Sequence, residues 1–393
     1  MSYIGKTPTP APLTSSDITD GIITTTKIAD ANVTNPKLTS GSQQNFRNII
    51  INGDMSIAQR ATSVSGIDGT ESGYKTVDRM YTEISDAGTW TQSQSTTVPT
   101  AQGFATSLKM DCTTADSTPT FLSVDTYFEG QNLQYLKKGT SSAVSTTLSF
   151  WVRSSKTGTH IAELRDYDNN RTISQAYTIS SADTWEKKTL TYAGDTSGAL
   201  GNDNGKSLGV TFFLAVSSTY SSGTLATSWG SRTNANRAVG QVNLADSTSN
   251  EWYVTGVQLE AGTTASDFEF LPVDVNLERC QRYYQVLADG TEHATANLCT
   301  AGQYSNDHAY GVIRFLTIMR AAPSMEQVTG SDYYRFRSGG GNYNGTLSLG
   351  ISTPRSFRLG LNRTQADIPA NAGGWIGISG ASTTAKVSVT SEL

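Results

Sequence analysis

Leu208-Gly-Val210-Thr-Phe212-Phe-Leu214-Ala-Val216 places an apolar side chain at every second position. A helix would scatter these side chains around its axis, whereas a β-strand gathers them on one face. Five apolar groups on one face predict a strand in the middle of a sheet whose inner side is fully covered. The same period recurs where Leu108 and Met110 alternate with Lys109 and Asp111, and where Leu148, Phe150 and Val152 alternate with Ser149, Trp151 and Arg153. It recurs again in Trp252-Tyr-Val254-Thr-Gly256-Val257-Gln-Leu259, where the apolar phase shifts at Gly256 and marks a bulge. Gly, Asn and Asp turns separate these runs, with no amphipathic segment of about ten residues between them. The crossover helices that a parallel sheet requires are therefore missing. The expected fold is all-β, an antiparallel jelly-roll β-sandwich.

Composition and repeats divide the chain into 1–45, 46–275 and 276–393. In the first part Ile18-Thr-Asp20-Gly-Ile-Ile23-Thr24-Thr-Thr-Lys27-Ile28 is followed, ten residues on, by the similar Ile28-Ala-Asp30-Ala-Asn-Val33-Thr34-Asn-Pro-Lys37-Leu38. Such a unit is too poor in apolar groups to build its own core. Ile18, Ile23, Ile28, Val33 and Leu38 need partners elsewhere, and three copies around an axis would supply them. Thr7-Pro8-Thr9-Pro10-Ala11-Pro12 favours extended backbone ahead of the repeat. The expectation is an extended anchor on a homotrimer. The body opens with Asn48-Ile-Ile-Ile51-Asn-Gly-Asp54, read as a strand meeting a turn. The one helix predicted starts at Asp274 as its cap, shortly after Pro272. It ends near Tyr283 and lies near the trimer axis with Leu277 and Cys280 facing the other copies. A β-rich tip follows, with Val312, Phe315 and Leu316 in one strand and Val387-Ser-Val389 in the last.

Charged residues make up 16 % of the chain, and the net charge is −5. That balance argues against nucleic acid as partner, since phosphate binding needs clustered cations. No apolar run has membrane-spanning length, so no membrane insertion is expected. No secretory signal is read at the start. Cys112, Cys280 and Cys299 are odd in number and widely spaced, which points to folding in a reducing cytoplasm.

Catalytic signals are weak, and no enzyme activity or cofactor is expected. His160, His293 and His308 have no metal-ligand spacing. Asp166-Tyr-Asp168-Asn-Asn170 begins like a calcium loop, but Arg171 stands where the sharp turn needs Gly. Glu163, Asp166 and Asp168 would serve a glycosidase only if they converge in space; the competing reading is a solvated strand-turn-strand.

Binding signals are better. Tyr333-Tyr334-Arg335-Phe336-Arg337, followed by the Gly339 to Gly341 turn and Tyr343, has the composition of a recognition loop, and Trp375 flanked by glycines adds an aromatic. Packing inside the tip is the competing role for the same side chains. Trp151 and Trp229, with Tyr167, Tyr220 and Trp90 behind them, are candidates for stacking on sugars. Phe150 and Trp151 cannot both face the interior, so with Phe150 in the core Trp151 points outward.

Several segments carry a family likeness. Ser2-Tyr3-Ile4-Gly5-Lys6 with Thr24 to Leu38, Arg47-Asn-Ile-Ile-Ile51-Asn-Gly-Asp-Met55, Gly130-Gln-Asn-Leu133, Ser149-Phe-Trp-Val152, Asp183-Thr-Trp-Glu-Lys187, Thr255-Gly-Val-Gln-Leu-Glu260 and Cys280-Gln-Arg-Tyr-Tyr284 resemble, in this order, segments of the tail fibre proteins of tailed bacteriophages. The likeness covers nearly the whole chain. Met80, after Asp78-Arg79, departs from it, where Trp is expected. The body also resembles jelly-roll carbohydrate-binding modules. These resemblances imply a homotrimeric virion protein of the tail, synthesised in the host cytoplasm. It would join other virion proteins through its N-terminus and bind a host surface polysaccharide or outer-membrane receptor. The alternatives are a fibre-borne polysaccharide depolymerase and a purely structural head-fibre or tail adaptor protein.

Overall fold

The computed structural model describes residues 46–381 and 383–393, and within them two antiparallel sheets face each other. The first runs, in spatial order, β1 (Ser63–Ile67), β4 (Thr89–Ser95), β5 (Ser107–Thr114), β13 (Glu251–Ala261), β7 (Thr146–Ser154) and β10 (Glu186–Tyr192). The second runs β12 (Gly230–Ser231), β9 (Arg171–Ile179), β8 (Gly158–Asp166), β11 (Lys206–Val216), β6 (Phe121–Glu129), β3 (Tyr81–Ser85) and β2 (Gly73–Tyr74). Trp90, Leu108, Met110, Leu148, Phe150, Val152, Leu164, Val210, Phe212, Trp252 and Val254 fill the space between them.

β11 is the central strand of its sheet, as its alternation requires. Only four of its five apolar groups share the inner face. The pairing with β6 skips Leu214 between Phe213 and Ala215. This bulge turns Val216 outward, where it packs with Phe121 and Phe213 instead. The bulge expected at Gly256 is present: pairing between β13 and β7 shifts between Thr255 and Gln258, and Gly256 has φ +61°.

Asn48–Asp54 is not a strand. Asn48 donates from Nδ2 to the Val257 carbonyl at 3.1 Å, and its Oδ1 accepts from the Leu259 and Ile50 amides. Asn52, at φ +61°, accepts from the Ile57 amide and donates to the Ile57 and Asp78 carbonyls. These side chains take the backbone groups that a ladder would use. Gly53 lies so close to the Val257 carbonyl that a Cβ there would collide with it. The opening and closing motifs of the body are therefore one polar knot.

A single helical turn, α1 (Ser218–Ser221), lies in the segment after β11. The predicted helix is α2 (Val273–Gln281). Pro272 is its N-cap, and Asp274 sits inside the first turn with its carboxylate accepting from the Val275 amide. Cys280 is fully buried within its own chain, which corrects the expectation that it faces other copies. Its thiol is pushed well above the ordinary range, chiefly by burial.

The chain then enters a three-stranded sheet, β14 (Tyr284–Asp289), β22 (Lys386–Thr390) and β17 (Ser324–Gln327). Between these strands it closes a six-stranded barrel in the order β15 (Asn297–Ser305), β16 (His308–Arg314), β20 (Ser356–Asn362), β19 (Gly341–Ser352), β18 (Tyr334–Ser338) and β21 (Gly373–Ile378). Phe315 and Leu316 fall after β16, outside any strand. Ala309, Ile313, Phe336, Leu347, Phe357, Leu359, Leu361, Ile376 and Ile378 line the interior. Closure leaves the barrel without a free edge.

Residues 46–393 form one compact unit. Arg282 and Tyr283 converge on Glu129, at 2.6 and 2.5 Å. Burial works against the charge on Glu129, but these bonds outweigh it and hold the carboxyl below its ordinary range. Arg79 is buried, donates to Glu392 and to the Tyr127 carbonyl, and lies 3.6 Å from the centre of the Tyr283 ring. Met80, adjacent, packs in the sandwich core. The anchor residues Ile18, Ile23, Ile28, Val33 and Leu38 lie outside the described residues.

Candidate functional site

The carboxylates considered for catalysis do not converge on an open site. Glu163 is fully buried on the outer face of β8, where Arg237 grips both its oxygens at 2.7 to 3.1 Å. Asp166 is buried too, and its carboxylate meets Lys138 and Asn169. Asp168 is exposed and accepts from the Gly201 amide. The solvated strand-turn-strand is thus corrected for two of the three residues: they are structural charges held by buried partners. Among the described residues no three His, Cys, Asp or Glu side chains come together as a metal site.

The predicted recognition loop is a β-hairpin. β18 and β19 join through Gly339 and Gly340, both with positive φ, the turn that matches strand twist. Alternation along β18 divides the candidates between two faces. Tyr334 is 2 % exposed in the barrel core, donating to the Val328 and Lys386 carbonyls. Tyr343, opposite Phe336, is half-buried against the same core. Tyr333 also packs there. These three tyrosines are packing residues. Arg335, Arg337 and Trp375 take the outer face. Trp375 lies opposite Arg337, and the Arg335 guanidinium stands 5.0 Å from the centre of the Trp375 ring. Gly377 leaves room for the indole, which a Cβ there would crowd.

The outer wall continues around the barrel. Trp375 pairs with Thr300 on β15, and Val312 on β16 pairs with Arg358 on β20. Tyr310 lies between Gly302 and Gly360, with the Arg358 guanidinium 4.5 Å from its ring centre. Tyr304, 73 % exposed, meets Tyr310 at 4.7 Å. In a closed six-stranded barrel three strand steps are half the circumference, so the Arg335–Trp375 pair on β18 and β21 and the Arg358–Tyr310 pair on β20 and β16 stand on opposite sides. Sequence reasoning missed Tyr304, Tyr310 and Arg358. Their contact is made by strand pairing, and the only local signal is Tyr at alternate positions beside Gly.

The tryptophans of the body are placed differently. Trp151 points outward and is half-buried, opposite Lys187 and Thr255, with Phe150 in the core as expected. Trp229 donates to the Ala193 carbonyl at 2.7 Å and packs against the core. Trp90 is a core residue, and Tyr220 packs on Phe121 beneath the loop after β11. A second aromatic surface runs along the outer face of the seven-stranded sheet: Tyr81 meets Tyr127 at 5.7 Å and Tyr127 meets Tyr167 at 5.6 Å. The Lys206 ammonium lies 3.4 Å from the centre of the Tyr127 ring. Asp125, buried beside them, accepts from Ser123 and Thr211. Burial, reinforced by Glu83, raises its carboxyl to about 7.

No known protein family and no curated protein matches the chain by sequence. Among solved structures it is similar to the enzymatically active domain of tailspike protein 4 of bacteriophage CBA120, at 12 % identity and a TM-score of 0.30 over 55 % of this chain and 21 % of that one. It is similar to a protein from Bacteroides thetaiotaomicron described as a candidate sugar binder, at 12 % identity and a TM-score of 0.31, over 55 % of this chain and 99 % of that one. A third is the N-terminal cellulose-binding domain of a β-1,4-glucanase from Cellulomonas fimi, at 12 % identity and a TM-score of 0.23, over 53 % of this chain and all of that one. The chain spans about a fifth of the length of the tailspike domain.

Proposed function

We propose that this chain is a trimeric tail fibre protein that attaches a virion to its host cell by binding a surface glycan on the outer wall of its barrel. The observation that carries the reading is the stack of Arg335 on Trp375, with Arg337 opposite the same indole on the outer face. Flat rings beside guanidinium donors complement the C–H faces and hydroxyls of a pyranose. The groups stand on paired strands of a closed barrel, which holds them at fixed spacing. The virion role rests on the sequence likeness to tail fibres, and the anchor role of 1–45 on its ten-residue repeat.

Trimer formation draws support from a second surface. Leu316 is 87 % exposed and Ile351 73 %, and the segment carrying Leu316 and Ile318 bonds to Pro354 and Arg355 close by. Large apolar groups gathered in solvent are what subunit contacts cover. The reading is of a binding protein without catalysis, supported by the carboxylates considered for hydrolysis: Glu163 is occupied by Arg237 and Asp166 by Lys138.

The test uses the purified full chain and cells that the phage infects. The protein should adsorb to those cells, have the mass of three chains by light scattering, and release no new reducing ends from host polysaccharide. Trp375→Ala should remove adsorption while the protein stays folded. Undiminished adsorption would move the site to the body, and a monomer at micromolar concentration would overturn the trimer.

A further inference from the structure

The charge on the barrel wall narrows the glycan. Residues 297–378 contain seven arginines and no lysine against four carboxylates, in a chain whose overall charge is −5. Two of those carboxylates are engaged: Asp367 with Arg363, and Asp307 with His308 and Ser305. Among the described residues, Arg335 and Arg337 have no carboxylate within 4.0 Å, whereas Arg79, Lys138, Arg237 and Arg282 do. Arg335 and Arg337 project from the same face of one strand. Like charges so placed repel unless an anion lies between them. Arg335 is 8 % exposed, and its Nε has no hydrogen-bond partner among the described residues. A buried guanidinium donor left open is costly, and an oxyanion completes it. Burial, and then Arg337, hold the Arg335 pKa below the ordinary arginine value, so an anion there would relieve both effects.

We infer that the glycan bound by this wall is acidic, its anionic oxygens taken by Arg335 and Arg337 while a sugar face lies on Trp375. The inference rests on the glycan-binding reading and names the ligand class of the same site. Carboxylate and sulfate share the chemistry, and the arms of the test separate them. Guanidinium forks fit both as bidentate acceptors.

The experiment measures binding of the full-length protein to matched pairs by calorimetry: oligogalacturonate and its methyl ester, sialyllactose and lactose, a chondroitin sulfate oligosaccharide and its desulfated form. At least one acidic member should bind tenfold or more tightly than its partner at low salt, with affinity falling as salt rises. Arg337→Gln should weaken the acidic member several-fold and leave its neutral partner unchanged, whereas Arg358→Gln, on the opposite side of the barrel, should change neither. Preference for uronate or sialate over sulfate would assign the carboxylate, and the reverse the sulfate. Equal affinity for both members of every bound pair would overturn the acidic assignment and leave the glycan reading standing. Binding of no sugar in any pair would overturn both. Acid-selective binding that survives Arg337→Gln, or that is lost with Arg358→Gln instead, would place the site elsewhere and overturn this one.

Discussion

Two outer faces of this chain carry tyrosines and arginines, and they treat their charges in opposite ways. On the seven-stranded sheet the buried carboxylates are closed, although Arg165 there lies over Tyr167 with no carboxylate partner among the described residues. Arg237 covers Glu163, Asp125 accepts from Ser123 and Thr211, and the Lys206 ammonium lies over two tyrosine rings. On the barrel the cations are open, since Arg335 and Arg358 meet an aromatic ring or backbone, and neither they nor Arg337 meets an acid among the described residues. A closed network specifies packing, and an open one leaves binding capacity unspent. Composition alone does not distinguish them; burial and partners do.

The comparison breaks most visibly at Glu163. Removing one member of a buried pair strands the other charge in a poorly solvated site, at a cost of about 3–5 kcal/mol. Glu163→Ala should lower the unfolding free energy read from urea titration by that amount, whereas replacing Glu163 and Arg237 together by methionine should cost clearly less. Equal losses for the single and double variants would mean the pair contributes through shape rather than charge.

Acid should expose the next weakness of the sandwich. His160 is fully buried on β8, stacked on Tyr177, and its Nδ1 has no hydrogen-bond partner among the described residues. Burial, helped by Lys156 and Lys188, lowers its pKa from 6.5 to about 4. The unfolded chain therefore binds the proton more readily. The stability present above pH 6.5 falls as pH drops towards 4, by about 3 kcal/mol in all. His160→Phe should flatten that part of the pH profile. An unchanged profile would assign the acid sensitivity to carboxylates instead.

Period-two runs made the sandwich legible, because one covered face is the simplest way to bury Leu148, Phe150 and Val152 together. Gly256 was legible as a bulge because the apolar phase visibly slips there. The bulge at Leu214 left no such sign, since Ala215 is apolar and continues the run on either face. Asn48 to Ile51 looked like a strand because three isoleucines outweigh flanking asparagines in a pattern argument; the asparagine side chains decided the outcome through distant partners. For the binding wall, Arg335, Arg337 and Trp375 were visible as residue types. Tyr310 and Arg358 come together through the pairing of β16 with β20, which local periodicity does not specify.

The hairpin that carries Arg335 and Arg337 offers a smaller effect. Gly339 has φ +56° with open space where a Cβ would stand, so a substitution there meets strain but no clash. Gly339→Ala should cost about 1–2 kcal/mol, and Gly339→Asn much less, because asparagine tolerates the left-handed region. Thermal melts of the two variants separate backbone strain from packing. Equal melting temperatures would show that the turn is not held in this conformation in solution.

The smallest expected effect sharpens the comparison most. Arg358 is exposed, has no carboxylate partner among the described residues, and lies over Tyr310. Its charge adds little to folding, because an exposed cation beside a ring contributes about 0.5–1 kcal/mol at most. Arg358→Gln should change the unfolding free energy read from urea titration by no more than that, several times less than the loss at Glu163, although both substitutions remove one charge from the outer face of a sheet. A loss comparable to the Glu163 variant would mean that the barrel wall is a closed network like that of the sandwich, and the distinction between the two faces would fall with it.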